Sequence, residues 1–553
     1  MRRPFAAIIV SGLFVICSPL PSHAKTVDQI LHGDKAVRLV LGSTFDVLRV
    51  EPVAMHPSQI VVDAATQDRA VGIRALVDTR TSLVVRVERV DTADILYAAS
   101  DVEKAFAIVK DLPSIRTLLG SAIDQYRASG PDDPDVPAYK IDALPVRGMG
   151  VRDECALHRC LDLLFRTPHG YLQGPHVLVD LTSGKRIGGP ANESPTRHPS
   201  SASTGAITRA VMPDSRCQKI TFPNAPTSWN VCWHRATGFG IVIGPATFKR
   251  GPFGPFGVIG DARVDQIFVP YATGQPRYYD VNYDFPLAYI PQSICPGTLL
   301  ERGTLCLEIR DRDVDWLFSQ DGSRFVSGRR GQEAVLWSVL AAANYQYIQE
   351  WGFRDDGVFW GRAAATGRNL PGLETESHTH DFIWRIAPQV GPGGDSVNHV
   401  TLNEPVNQPT AQDTLTAVPQ PAGLLWSPQT FDQLEIYPPG VVNGRGDQIS
   451  YRLVPLPTGG LAHHEELFTQ ADLWATAGDP TELDATMLPQ YAHEQRSLVD
   501  TSVTMWYRGS IHHQPRDEDG YYGNAGWFGT THTMWTGFMF VPRNLFDKSP
   551  LFP

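Results

Sequence analysis

Hydrophobic and polar positions alternate with a period of two over much of the chain. Between residues 27 and 92, runs such as Gln59-Ile60-Val61-Val62-Asp63 and Ser82-Leu83-Val84-Val85-Arg86-Val87 predict half-buried strands. The period then changes. From Ser100 to Leu119 apolar residues fall at helical spacing (Val102, Ala105, Phe106, Ile108, Val109), with Asp101 and Glu103 placed where negative charge favours a helix start. Cys160-Leu161-Asp162-Leu163-Leu164-Phe165 and His176-Val177-Leu178-Val179-Asp180 return to strand character, so this stretch predicts a small α+β unit. From Gly188 to Ser215 Pro, Ser, Thr, Gly and Asn displace apolar residues, which predicts a linker, taken as 191–215. Beyond it, dense short strands are broken by Gly and Pro, with helical spacing only around Glu465 to Ala477. That is the pattern of a large β-sandwich. The expected class is mainly β: small α+β domains at 25–92 and 93–190, then a sandwich over 216–553.

Composition sharpens this picture. Gly 48 and Pro 44 in 553 residues favour many turns over long helical bundles, while 42% apolar against 19% charged residues supplies ample core. The first 24 residues read as an export signal: Arg2 and Arg3, an apolar run from Phe5 to Ile16, and Ser22 and Ala24 as the small residues of a cleavage site. No later stretch reaches the ~18 continuous apolar residues of a membrane helix. The expected mature protein is soluble, periplasmic or secreted, without a membrane partner. Loss of the signal leaves 46 Lys+Arg against 59 Asp+Glu, a net charge of −13, which argues against nucleic acid as a partner. Cys17 leaves with the signal. The other six cysteines sit as neighbours, Cys155 with Cys160, Cys217 with Cys232 and Cys295 with Cys306, and in an exported chain they read as three local disulfides. Zinc is the competing reading, although no pair has Cys-x-x-Cys spacing.

Candidate chemistry starts at His378-Thr379-His380. Residues two apart on a strand share a face, so both imidazoles can converge on one copper, zinc or iron ion. Asn344-Tyr345-Gln346-Tyr347 lies between two strand-like runs, and in isolation its tyrosines read as core residues of one strand face. The C-terminal run Trp506-Tyr507-Arg508-Gly509-Ser510-Ile511-His512-His513-Gln514-Pro515-Arg516-Asp517-Glu518-Asp519 adds a late histidine followed by Arg, Glu and Asp. Gly238-Phe239-Gly240 lacks the third glycine of a dinucleotide fingerprint, which argues against flavin. His463-His464-Glu465-Glu466 reads as a solvated helix start. His512 faces away from its neighbour on a strand and reads as a supporting residue.

Together, in this order, the segments resemble the copper-containing quinone amine oxidases. The resemblance implies that Tyr345 is oxidised to topaquinone and that His378, His380 and His513 bind copper. Val269-Pro270-Tyr271 is similar to a family segment whose tyrosine contacts the quinone. Arg277-Tyr278-Tyr279-Asp280 is similar to the segment ending in the family's catalytic aspartate, with Tyr278 at a channel-gating position and Asp284 as the fallback carboxylate. Ile290-Pro291, Cys295 and Cys306 resemble the disulfide loop that follows. Tyr451-Arg452-Leu453-Val454-Pro455, Leu473-Trp474-Ala475-Thr476 and Leu498-Val499-Asp500-Thr501 also fall in family order, so coverage runs from about Cys217 to the C-terminus, with a fainter match over 93–190. The implied activity is oxidative deamination of a primary amine with O2, giving aldehyde, ammonia and hydrogen peroxide, in a homodimer with exchanged β-arms. The chemistry is coherent, because removing a proton next to an amine requires an electron sink that ordinary side chains lack and a quinone provides. A buried carboxylate with a raised pKa would take that proton. The rival readings are a catalytically silent copper-binding or structural relative, and a zinc or iron enzyme built on the same histidines.

The chain departs from the family pattern in three places. The segment before the tyrosine reads Ala341-Ala342-Ala343-Asn344, and Gln346 replaces an acidic residue, which bears on the speed of cofactor formation. Ala387, Gln389 and Ser502 stand where the family has carboxylates of a structural metal site, so no calcium is expected. Gly520-Tyr521-Tyr522-Gly523 replaces a proline-rich segment, which bears on substrate approach or subunit contact.

Overall fold

Two large sheets, antiparallel but for the short pair of Arg127–Ala128 with Lys140–Val146, dominate the computed structural model of the protein, as the period-two pattern predicts. It describes residues 25–187 and 216–551, apart from 54–55, 129–136, 148–153, 169, 173–175, 273–274, 320–324, 371, 403–412, 458–462, 517–518 and 520–532. The expected signal peptide, the linker and the Gly520–Gly523 segment lie outside the described residues. Among the described residues, no helix is long and apolar enough to cross a membrane.

The N-terminal unit carries helices Val27–Gly33 and Lys35–Leu41 on a four-stranded meander running from Phe45–Val53 to Leu83–Val90. Alternation sorts its side chains. Ile60, Val62, Ile73, Ala75 and Val77 meet the helices, whereas Val61 and Leu76 pack on Leu483 of the sandwich. Arg74 reinforces that junction by donating to the Thr481 carbonyl at 3.0 Å.

The next segment forms two helices, Ala99–Val109 and Pro113–Leu119, where the sequence suggests one. Pro113 explains the break: the residue before a proline is pushed out of helical geometry, and Leu112 is extended at φ −67°, ψ 137°. Strands Lys140–Val146, Cys160–Thr167 and Val177–Asp180 follow. They do not form a separate sheet, because Val146 pairs with Tyr278 and continues the larger sheet of the sandwich. The six described cysteines form the disulfides Cys155–Cys160, Cys217–Cys232 and Cys295–Cys306, which settles their pairing against the zinc reading.

The larger sheet has Phe253–Pro270, His378–Pro388 and Val503–His513 at its centre. The facing sheet is built around Phe325–Ala342, Tyr345–Arg354, Phe359–Gly367 and Met534–Arg543. Contacts such as Trp384 and Tyr507 on Phe538, and Phe382 on Tyr347, join the two faces. The central strands are buried on both sides because a second cluster (Phe268, Ile383, Trp474, Leu488, Trp506) covers the outer face of the larger sheet. That cover corrects one expectation: Glu465 to Ala477 is not a helix but a short turn at Leu467–Thr469 followed by strand Leu473–Ala477, whose five residues are all buried. An all-round apolar segment packed between layers carries no period that separates helix from strand.

Candidate active site

Antiparallel register brings three imidazoles together. His378 pairs directly with His513 across the neighbouring strands, and His380 lies two residues along the same face. Their ligand atoms lie within 4.8 Å of one another, and all three residues are buried. Each ring has its outer nitrogen engaged. His378 Nδ1 lies 3.3 Å from the Glu376 carbonyl, His380 Nδ1 lies 3.1 Å from the Tyr347 hydroxyl, and His513 Nε2 lies 3.6 Å from Asp519 Oδ2. Their partners leave Nε2, Nε2 and Nδ1 pointing inward, the arrangement by which outer contacts fix ligand tautomers. Burial pulls the His378 pKa down to about 3 and holds His380 and His513 below the usual imidazole range, so the rings are in the neutral, metal-ligating form. His512 is exposed, on the opposite side of its strand.

The facing sheet supplies the tyrosines. Ala342 and Tyr345 pair across a two-residue turn at Ala343-Asn344, with Ala343 at φ +51°. Asn344 is buried and donates through Nδ2 to the Arg368 carbonyl at 2.7 Å, tying this turn to the end of strand Phe359–Gly367. Tyr345 opposes Gly367, where a Cβ would lie 2.6 Å from the Tyr345 ring. The Tyr345 hydroxyl reaches into the imidazole cluster, 3.1 Å from His378 Nε2 and in close contact with His513 Nδ1, with Asn369 Oδ1 accepting at 3.3 Å. Burial raises its pKa well above the phenol range, and neighbouring Tyr271 and Asp280 add to the effect. Gln346 points to the other side of its strand and is half-buried.

Asp280 begins the turn after strand Arg277–Tyr279 and is buried. Its Oδ2 accepts from the Tyr347 hydroxyl at 2.5 Å, and its Oδ1 is buried without a partner. Burial pushes its pKa up to about 7, against the lowering effect of the Tyr347 hydrogen bond. Asp284 is placed elsewhere, accepting from the Gly238 N–H at 3.1 Å. The Tyr271 ring stacks on His378 with centroids 4.2 Å apart. Tyr278 is buried edge-on to Tyr271, and its hydroxyl donates to Asp162 Oδ2 at 2.9 Å, a contact with the preceding unit.

Some supporting residues escape sequence reading. Asn369 holds Tyr345 and donates to the Leu373 and Glu376 carbonyls, both at 2.7 Å, and only its position in an Asn-Leu-Pro-Gly turn hints at it. His463-His464-Glu465-Glu466 is no solvated helix start. His464 lies 3.2 Å from Thr379 Oγ1 and 3.4 Å from Asp381, while Glu466 pairs with Arg277 at 3.0 Å, so this segment braces two site strands from outside. Arg508, fully buried, bridges Asp381 at 3.1 Å and Asp472 at 2.5 Å behind the imidazoles. Ala387, Gln389 and Ser502 carry no carboxylate.

A buried all-imidazole donor set with a phenol at its centre fits a borderline transition metal such as copper and offers nothing to a hard, oxygen-seeking cation. The comparisons agree with this donor set. Residues 299–552 match the family model described as "Copper amine oxidase, enzyme domain". Among curated proteins, the chain is 24% identical over 288 residues to a primary amine oxidase of Arthrobacter sp. (strain P1), covering 44% of this chain and 43% of that protein. It is 23% identical over 325 residues to the copper-containing diamine oxidase 1 of Nicotiana tabacum, covering 50% of this chain and 39% of that protein. The chain therefore matches less than half the length of these relatives. Among solved structures, a copper-containing benzylamine oxidase from Hansenula polymorpha superposes with a TM-score of 0.61 at 14% identity, covering 95% of this chain and 98% of that one. An Aspergillus nidulans amine oxidase gives 0.56 at 14%, covering 89% and 81%. These likenesses establish the fold.

Proposed function

We infer, from the premise that the chain belongs to the copper amine oxidase family, that it oxidatively deaminates a primary amine to an aldehyde, consuming O2 and releasing ammonia and hydrogen peroxide. The observation that carries this reading is the Tyr345 hydroxyl seated among His378, His380 and His513, with a buried carboxylate one side chain away. A quinone made from Tyr345 would supply the electron sink, copper held by these three histidines would assist its formation and reoxidation, and O2 would be the terminal oxidant.

The chain's own residues do the rest. Asp280 receives the α-proton of the amine at Oδ1, the oxygen left without a partner. A pKa near 7 matches that task, because a base works best when its pKa lies close to the working pH. Tyr271, stacked on His378, holds one of the imidazoles that the Tyr345 hydroxyl meets. Asn344 fixes the turn that aims Tyr345. Tyr278, anchored on Asp162, stands where the family resemblance puts a channel-gating residue.

The proposed setting is export to the periplasm or beyond, supported by three disulfides. The proposed assembly is a homodimer with exchanged arms, supported by Val314 and Leu317, which stand exposed on the long strand Leu305–Ser319. Copper-reconstituted protein treated with phenylhydrazine should yield a coloured covalent adduct on the Tyr345 peptide, and an amine panel should release peroxide. Absence of both from fully copper-loaded protein would refute the assignment.

A further inference from the structure

Tyr347 lies two residues after Tyr345, on the same strand face, with the two rings nearly parallel (8°) and their centroids 6.0 Å apart. As a core tyrosine it would need only its ring. That ring is packed edge-on against Phe382 and is fully buried. The hydroxyl, however, is committed on both sides. It donates its only proton to Asp280 Oδ2 at 2.5 Å and stands 3.1 Å from His380 Nδ1, whose N–H is then the donor. Asp280 Oδ1 is left buried and unpartnered. A carboxylate held at one oxygen only has its other oxygen fixed in direction.

We propose that Tyr347 is the positioning residue of the proton-accepting carboxylate: its hydroxyl clamps Asp280 Oδ2 and leaves Oδ1 presented to the substrate. This deepens the amine-oxidation reading and rests on it for the substrate's identity, but the clamp itself concerns only residues of this chain. The other titratable groups near Asp280 are Tyr271 at the end of strand Phe253–Pro270, Tyr278 on its own strand, and Tyr345; none is hydrogen-bonded to it, and His380 lies beyond Tyr347. A donor to the charged form favours that form, so losing the Tyr347 hydroxyl must make Asp280 harder to ionise.

The test is a pH titration of the metal-free full-length protein by infrared difference spectroscopy, with the Asp280 carboxyl band assigned by its loss in Asp280→Asn. Tyr347→Phe should move the titration midpoint upward by about one pH unit or more, as expected for a hydrogen bond to a charged group. In copper-loaded protein, the ascending limb of kcat/KM against pH should move the same way. Should the phenylalanine variant not fold, 3-fluorotyrosine at position 347, a stronger donor, should move the midpoint downward. An unmoved midpoint in either variant overturns the clamp. A wild-type protein that oxidises no amine would instead defeat the functional reading, while the midpoint still decides the role of Tyr347.

Discussion

Replacing Asp280 with asparagine should stabilise the protein while destroying its turnover. Burial holds this carboxyl at about 7 rather than the usual 3.8. Between those two values the folded chain keeps a proton that the unfolded chain has lost, so wild-type stability falls as pH rises through the window and is level above it. With one pH unit of displacement equal to 1.36 kcal/mol, the accumulated cost at pH 8 is about 4 kcal/mol. Asparagine keeps an oxygen to accept from Tyr347 and never ionises. Its amide hydrogens, placed where Oδ1 stood, carry a burial penalty of about 1–3 kcal/mol, but that penalty does not change with pH. The assay is denaturant unfolding of the metal-free wild type and Asp280→Asn at intervals from pH 4 to pH 8. The variant's advantage should be absent or negative at pH 4, grow steadily to pH 7 and then level off. A difference that does not change with pH would refute the reasoning, because it would mean that Asp280 is not held against ionisation by its surroundings.

Three further outcomes follow from the same geometry. Tyr345→Phe removes a hydroxyl without removing a histidine, so calorimetric copper titration should still show one bound ion per chain, with peroxide production abolished; retained oxidase activity would defeat the mechanism. Gly367→Ala places a Cβ 2.5 Å from the Asn344 carbonyl and 2.6 Å from the Tyr345 ring. Overpacking of this kind costs about 1–3 kcal/mol, and the displaced ring should also give a lower phenylhydrazine-titratable quinone yield. Arg508→Met strands Asp381 and Asp472, two buried carboxylates, and should destabilise by about 3–5 kcal/mol in chemical denaturation, with weakened copper affinity because Asp381 adjoins His380.

The residues that meet in the site were legible because strand geometry is local. His378 and His380 share a face at any register, and His512 was separable from His513 by the same rule. Tyr345 and Tyr347 share a face in the same way, yet their chemistry was not legible from spacing. A tyrosine becomes more than core only when something polar faces it, and what faces these two comes from strands that begin 33 and 158 residues after Tyr345 and, for Tyr347, from Asp280, 67 residues before it. The order of motifs, matched to a family, stood in for that missing third dimension. Asp280 illustrates the limit: the family resemblance ranks it above Asp284, the fallback, but local spacing does not, and the fold sends one to the Tyr347 hydroxyl and the other to the Gly238 N–H.

What stayed hidden is the outer support, and the reason is energetic. His463-His464-Glu465-Glu466 is as polar as any solvated turn, yet its side chains find partners in the fold: His463 at Asp472, His464 at Asp381, and Glu465 and Glu466 at Arg277. Desolvation makes such charges costly unless they are paired, and pairing leaves no trace in local composition. The same segment touches Thr379, between His378 and His380, and Arg277, three residues before Asp280. One external brace therefore spans both halves of the site, the imidazoles that would hold the metal and the carboxylate that would take the proton. Loosening it should disturb metal affinity and proton transfer together, whereas a change at Tyr347 should disturb the second through Asp280. That difference separates a brace from a clamp in the kinetics of any variant.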